Sequence, residues 1–283
     1  MIIVDFNQVM ISNLMMQLGN HTNIPLEEGL FRHMVINSLR TYKQKFQSDF
    51  GEIVIACDDK NYWRKQVFPY YKANRKKNRE SSEINWTQVF DLFNKIKQEI
   101  KDNFPYRVIQ VESAEADDII ATLVIEHSNN MSDPQDMLIL SGDKDFVQLQ
   151  KYNNVKQYDP VRKKWIKEDN PLAYLYEHIC KGDQGDGIPN ILSDDDTFVT
   201  DKRQKPLTQK RLEFFKQEGL GSDFISRNWA RNAQLVDLSM IPDNIRENVI
   251  AKYQQQEGKS SNKLFDYFFT HKLKLLMDSV GDF

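Results

Sequence analysis

Acidic stations recur where apolar runs end, and that spacing constrains the chain more than any other feature. Asp5 closes the run 2–4, Asp58 closes 53–57, and Asp143 and Asp145 follow 137–140. Glu115, Asp117 and Asp118 come just after 108–111, and Asp183 and Asp186 lie in a glycine-rich turn. Folded together, carboxylates this dense repel one another and resist ionising. Divalent cations relieve that repulsion. Magnesium, a hard ion that takes oxygen ligands and keeps much of its water, suits such a set. The pattern points to metal-assisted chemistry, most naturally on phosphate.

The runs themselves alternate strand and helix over the first 150 or so residues. Strands are expected at 2–5, 53–57, 106–111 and 136–140. Between them, apolar residues at helical spacing predict helices over 9–18, 26–50, 86–104 and 115–127. Gly51 and Pro105 supply stops, and 129–134 reads as a turn. This rhythm implies an α/β fold, a mostly parallel central sheet flanked by helices on both faces. Ligands on such sheets bind at the carboxyl ends of strands, where Asp5, Asp58 and Asp143 fall. A hairpin is expected over 154–167, turning at Asp159-Pro160. Beyond it the chain reads as helical (172–180, 208–217, 224–235, 245–256, 264–276), with a loop over 191–207. The expected organisation is an α/β domain over 1–165 and a smaller, mainly helical region over 166–283.

Composition narrows the class. The chain has 283 residues with 40% apolar and 28% charged side chains, enough for a core in one large domain or two small ones. No apolar run approaches the length that spans a bilayer, and Asp5 interrupts the only N-terminal one, so neither a membrane span nor a signal peptide is expected. Cys57 and Cys180 make no disulfide framework or zinc pattern and read as buried, reduced thiols. The net charge of −3 conceals an uneven distribution. Between Asp59 and Glu80 there is no acid, only Lys60, Arg64, Lys65, Lys72, Arg75, Lys76, Lys77 and Arg79 among Tyr62, Trp63, Tyr70 and Tyr71. Cations interleaved with aromatics suit phosphate contact and base stacking on a single strand.

Each motif also has a plainer reading. Acids in the first turn of a helix at 115 gain roughly 0.3–1 kcal/mol each from the helix dipole. Asp145 could serve only to cap a helix starting near Phe146. Residues 182–189 could be a polar connection, though not a calcium loop, because the EF-hand spacing and closing Glu are missing. The basic stretch could be a solvated loop, but such a loop gains nothing from Trp63, Tyr70 and Tyr71. The methionines at 10–16 read as core, and the histidines show no ligand spacing and receive no role.

Taken together, the motifs resemble those of the structure-specific 5′-nuclease superfamily, which includes flap endonucleases and the 5′-nuclease domains of bacterial DNA polymerases. Residues 115–123 look like its acidic helix, 141–149 its strand-end motif, and 182–189 the start of its helix–three-turn–helix element, placed here at about 172–217. Residues 64–75 are similar to the base of its helical arch. Residues 151–157 and 241–245 extend the likeness toward the superfamily's bacteriophage ribonuclease H branch.

The resemblance implies a PIN-like sheet with a helical arch or flexible loop, 60–85, over the site. It implies a magnesium-dependent 5′-to-3′ exonuclease and flap endonuclease with two ions, manganese substituting. Asp5, Asp58, Glu115, Asp117 and Asp143 would hold the first ion, Asp118 adding to the cluster. Asp145, Asp183 and Asp186 would hold the second through water. Lys72 and Arg75 would steady the scissile phosphate, and Tyr71 would stack on an unpaired base. Arg64, Lys65, Lys76, Arg79, Lys202, Arg203, Lys210 and Arg211 would contact nucleic acid. Substrates would be DNA and RNA–DNA hybrids with 5′ ends or flaps, met in primer removal on the lagging strand. A single-stranded-DNA-binding protein and a sliding clamp are the implied partners of a monomer in the cytoplasm of an infected bacterium.

Two departures stand out. Residues 190–196 replace the family's glycine-rich turns, so their duplex grip and potassium ion are not carried over. The clamp-binding peptide that phage relatives can carry ahead of the first strand is not expected either. Two other readings compete. A haloacid-dehalogenase-type phosphatase needs an Asp two residues after its nucleophile, where this chain has Asn7. A non-catalytic binder of branched DNA would bind without cutting.

Overall fold

The computed structural model describes residues 1–19, 26–129, 135–257 and 259–283, with the side chains of 76–78 left aside. Its six-stranded sheet has the order β3-β2-β1-β4-β5-β6. The strands are β1 (Ile2–Asp5), β2 (Ile53–Cys57), β3 (Arg107–Gln110), β4 (Met137–Leu140), β5 (Val155–Asp159) and β6 (Lys164–Ile166). All neighbours run parallel except β5 and β6, the expected hairpin. β1 lies between β2 and β4, so the ends bearing Asp5, Asp58 and Asp143 come side by side.

The helices are α1 (Phe6–Leu18), α2 (Glu28–Phe50), α3 (Arg64–Val67), α4 (Ala73–Glu80), α5 (Trp86–Asn103) and α6 (Ala116–Asn129). Then come α7 (Pro171–Lys181), α8 (Gln209–Glu218), α9 (Asp223–Val236), α10 (Asp243–Gln254), α11 (Leu264–Thr270) and α12 (Lys274–Met277). The strands β1, β2 and β4 are buried on both faces, as apolar strands without alternation require. Ile2, Val4, Ile55 and Leu140 pack with α1, α2 and α5, while Ile3, Val54 and Ile139 pack with α6 and α10. Leu264, Phe268 and Phe283 join the first core and Ile245 and Val249 the second. The C-terminal helices therefore finish the same two cores that the strands begin.

The structure differs from the sequence expectation at two places. α1 starts at Phe6 rather than Val9, because the Asp5 carboxylate accepts the Gln8 amide at 3.1 Å and caps the helix directly off the strand. The single helix expected over 264–276 breaks in two. Lys272 takes a left-handed φ of 53°, and the Leu273 amide closes back on the Phe268 carbonyl at 2.9 Å. The break turns Leu273 and Leu276 into the core. The basic stretch forms α3 and α4, the helical alternative of the expected arch or loop. Of the expected turn at 129–134, residues 130–134 lie outside the described residues.

Candidate metal centre

A cavity of about 500 Å³ opens at the carboxyl edge of the sheet, lined by Asp5, Asp58, Asp117, Asp143, Lys72, Arg75 and Arg79. A second, of about 480 Å³, adjoins it and shares Asp58, Tyr62, Arg79 and Phe90. The strands deliver Asp5 and Asp58, and the first turn of α6 delivers Asp117. Asp143 is presented by a loop that Gln157 of β5 holds, its amide donating to the Ser141 and Asp143 carbonyls at 3.0 and 2.6 Å.

These carboxylates are held against their own charge. Asp5 accepts from the Ser141 hydroxyl at 2.9 Å, yet burial and then the Asp58 charge raise its pKa to about 7. Asp58 accepts from the Ala116 amide at 2.7 Å and from the Asn7 side chain, and burial still raises it. Burial and the neighbouring Asp143 push Asp117 well above the carboxylate range. Asn7 thus sits as a partner of Asp58, not as a dehalogenase-type acid. The donor set fits divalent ions: crowded oxygens, little compensating charge, and a cavity to receive it.

The cations of the pocket go to other acids. Glu115 is buried and accepts from Arg64 Nη1 at 2.8 Å and from Lys72, with the Tyr71 hydroxyl at 2.9 Å. Burial works to raise Glu115, but Lys72 and Arg64 prevail and hold it below its ordinary value. Asp186 pairs with Arg75 at 2.6 Å and lies 3.5 Å from Lys72.

Three expectations are corrected here. Asp118 faces away from the cavity, fully buried against Arg64 at 2.8 Å and Trp63 Nε1 at 3.0 Å, and its Oδ2 also accepts the Glu115 amide. Arg64 is buried and spent on Glu115, Asp118 and the Leu235 carbonyl, so it does not face nucleic acid. Tyr71 is buried with its hydroxyl on Glu115 and Asp186, leaving no open face for a base.

Asp145 and Asp183 come together about His178, and Asp186 follows in the same turn, its amide donating to Asp183 Oδ1 at 3.0 Å while its carboxylate faces the arch base. Asp145 lies in the 3-10 helix Lys144–Lys151, whose cap is Asp143 rather than Asp145. Burial and the Asp143 charge raise its pKa to about 7. Asp183 follows α7 through Gly182, whose φ of 65° and close approach to the Ile188 and Pro189 carbonyls leave no room for a side chain. The turn closes by paired backbone bonds between Asp183 and Ile188 at 2.9 and 2.7 Å. Gly187, at φ 75°, lets the turn approach the arch base, where the Lys72 amide donates to the Asp186 carbonyl at 2.7 Å. Sequence reasoning missed His178, which stands between Asp145 and Asp183; its only signal was a place in the last turn of a helix five residues before an acid.

Of the remaining expected contacts, Lys65, Arg79, Arg203, Lys210 and Arg211 are exposed. Lys202 is exposed but pairs with Asp196 at 3.0 Å, and the Lys76 side chain lies outside the described residues. The loop after Pro189 is anchored by two fully buried amides that the sequence did not advertise. Asn228 donates to the Ile191 and Ser193 carbonyls, and Asn232 to those of Ile179 and Pro189.

A parallel sheet with buried acids at its carboxyl edge, faced by lysine and arginine, defines a phosphate-handling α/β protein. Comparison with known families is specific. The model for the 5′-3′ exonuclease N-terminal resolvase-like domain matches residues 5–176, and that for the T4 RNase H C-terminal region matches 172–283. Ribonuclease H of Enterobacteria phage T4 is 31% identical over 294 residues, covering 99% of this chain and 95% of that protein. DNA polymerase I of Caldicellulosiruptor bescii is 28% identical over 173 residues, 55% of this chain and 18% of the polymerase. Among solved structures, the bacteriophage T5 D15 protein crystallised with metal ions shares the fold at a TM-score of 0.62 and 14% identity, over 90% of this chain and 98% of that one. The D15 flap endonuclease in a pseudo-enzyme–product complex with DNA and metal ions matches at 0.62 and 16%, with the same coverage. The chain belongs to this family of metal-dependent 5′-3′ exonucleases and is a 5′-nuclease. No helix among the described residues is long and apolar enough to cross a membrane.

Proposed function

We propose that the chain hydrolyses phosphodiester bonds near the 5′ ends of flaps, nicked duplexes and RNA primers on DNA, using two magnesium ions that manganese can replace. One observation carries this reading: Asp5, Asp58, Asp117 and Asp143 converge on a single cavity that Lys72 and Arg75 also line. The T5 flap endonuclease described with DNA and metal ions supports the substrate class.

In this reading Asp5, Asp58, Glu115, Asp117 and Asp143 hold the first ion and Asp145, Asp183 and Asp186 the second. Held by those carboxylates, two divalent ions would supply Lewis-acid chemistry for phosphodiester hydrolysis. Lys72 and Arg75, now on Glu115 and Asp186, are placed to turn toward the phosphate and its developing charge. Asp118, Arg64 and Tyr71 act one layer deeper, fixing Glu115. Lys65 and Arg79 would meet the frayed strand, and Arg203, Lys210 and Arg211 the duplex, within a helical region beginning near residue 166. We extend the proposal to work as a monomer on the lagging strand, in the cytoplasm of an infected bacterium, beside a single-stranded-DNA-binding protein and a sliding clamp.

The test is a labelled 5′-flap duplex and an RNA-primed duplex, each with Mg²⁺, Mn²⁺ or chelator, and with Asp143→Asn. Cutting should need the metal and fall on the order of 10³-fold in the variant while DNA binding persists. Undiminished cutting by Asp143→Asn would refute the ligand assignment, and binding without any cutting would favour the non-catalytic reading.

A further inference from the structure

We propose that His178 supplies an imidazole nitrogen to an ion it shares with Asp145 and Asp183, so that the second metal position is a mixed nitrogen–oxygen site. The inference rests on the two-ion reading above and goes beyond it in the chemistry of one position.

The arrangement is built by three separate elements. α7 ends at Lys181, and His178 lies in its last turn, where its carbonyl accepts the Gly182 amide at 2.8 Å. The reversal at Gly182 brings Asp183 back beside the ring, and the 3-10 helix presents Asp145 to its other edge. Nδ1 lies 3.4 Å from Asp145 Oδ1, and Nε2 lies 3.5 Å from Asp183 Oδ2. Among the described residues this is the one group of at least three acid, histidine or cysteine side chains whose ligand atoms lie within 4.8 Å of one another.

These separations leave room for an ion between an imidazole nitrogen and the carboxylates. Nitrogen–oxygen hydrogen bonds cluster at roughly 2.7–3.2 Å, shorter than either contact. Two ligands each about 2.1 Å from a common ion stand roughly 3–3.5 Å apart. The ring is also pre-oriented. Nε2 faces the turn that carries Asp183, and Asp145 Oδ1 lies 3.4 Å from Nδ1, so both carboxylates stand within reach of one ion beside the ring. His178 is half-buried, with 13% of its side chain exposed, so the ring is held yet reachable.

The consequence is selectivity. Magnesium prefers an all-oxygen shell, whereas imidazole favours manganese, cobalt and zinc. A nitrogen at the second position should therefore raise affinity for those ions relative to magnesium.

Pulsed electron paramagnetic resonance of the full chain titrated with Mn²⁺ to two equivalents, so that both positions are filled, tests this directly. Wild type should show the ¹⁴N modulation of a bound imidazole, and His178→Gln should lose it while still binding Mn²⁺. By calorimetry the same change should weaken Mn²⁺ binding about 10–100-fold and Mg²⁺ binding less than about 3-fold. Mn²⁺ bound to wild type without nitrogen coupling overturns the proposal alone, as does coupling that persists in His178→Gln. Failure of wild type to bind Mn²⁺ at all overturns the two-ion reading with it. The wild-type spectrum decides the matter even if the variant folds poorly.

Discussion

The acids of this site fall into two kinds, and the contrast shows what each is for. Glu115, Asp118 and Asp186 meet cations that the chain itself supplies: Arg64, Lys72 and Arg75. Burial pushes the pKa values of Asp5, Asp58, Asp117 and Asp145 upward with neighbouring acids adding to it, while Asp118, also raised by burial, has Arg64 working against the shift. The first kind meets its countercharge within the fold at the arch base, and in the proposed reading an ion at Glu115 or Asp186 would compete with Lys72 or Arg75. The second kind is where, in the proposed reading, the balance would come from an ion. A carboxylate with an internal partner stabilises the protein without a ligand, whereas one lacking it is ready for an ion.

The largest test of the contrast is Arg64→Ala. It would leave Glu115 with one cation fewer and remove the guanidinium that faces Asp118, and breaking a buried pair costs about 3–5 kcal/mol. The urea midpoint should fall accordingly, with or without Mg²⁺. A loss below about 1 kcal/mol would mean these acids are not balanced internally at all.

Lys72→Ala should act on rate more than on stability. Single-turnover cleavage of a flap substrate should slow on the order of 10²-fold. Glu115, freed of its lysine, should bind Mg²⁺ more tightly, a gain that calorimetry can read. Slower cleavage with weaker Mg²⁺ binding would place Lys72 among the supports of the ion rather than its competitors.

The smallest effect is a pH dependence. Asp5 and Asp145 have pKa values raised from the ordinary carboxylate range to about 7, so the native protein holds protons that the unfolded chain has released. Stability should therefore decline as pH rises from about 4 to about 7 in the metal-free protein. Glu115 and Asp183, held low, work oppositely, adding stability that is lost as pH falls below about 4. Melting temperatures in chelator should slope downward across that window by several degrees, and Mg²⁺ should flatten the slope. A flat profile in chelator would erase the distinction between the two kinds of acid.

Much of this was legible in the residues. Apolar runs gave four parallel strands, and the acids at their ends located the cavity, because a parallel sheet binds at its carboxyl edge. What the sequence could not show was the facing of adjacent residues. Asp117 and Asp118 differ by about 100° around one helix, so one lines the cavity and its neighbour enters the core with Arg64 and Trp63. The basic stretch misled for the same reason. Arg64 and Tyr71 stand in a run of solvent-seeking side chains, yet the fold presses both onto Glu115. Asn228, Asn232 and Gln157 carried no signal, since each acts on carbonyls far away in the chain.

The residue order alone determined the strand rhythm, the acidic stations and the cationic stretch, because these depend on local periodicity and on charge. Only the packed molecule decided which acids receive an arginine or lysine and which do not, and that a histidine stands between two of them. Most of those outcomes depend on distances between segments tens of residues apart, such as Arg64 and Glu115, which are 51 apart in the chain, and Lys72 and Glu115, which are 43 apart. Electrostatic coupling follows separation in space, and a linear chain does not encode that separation locally.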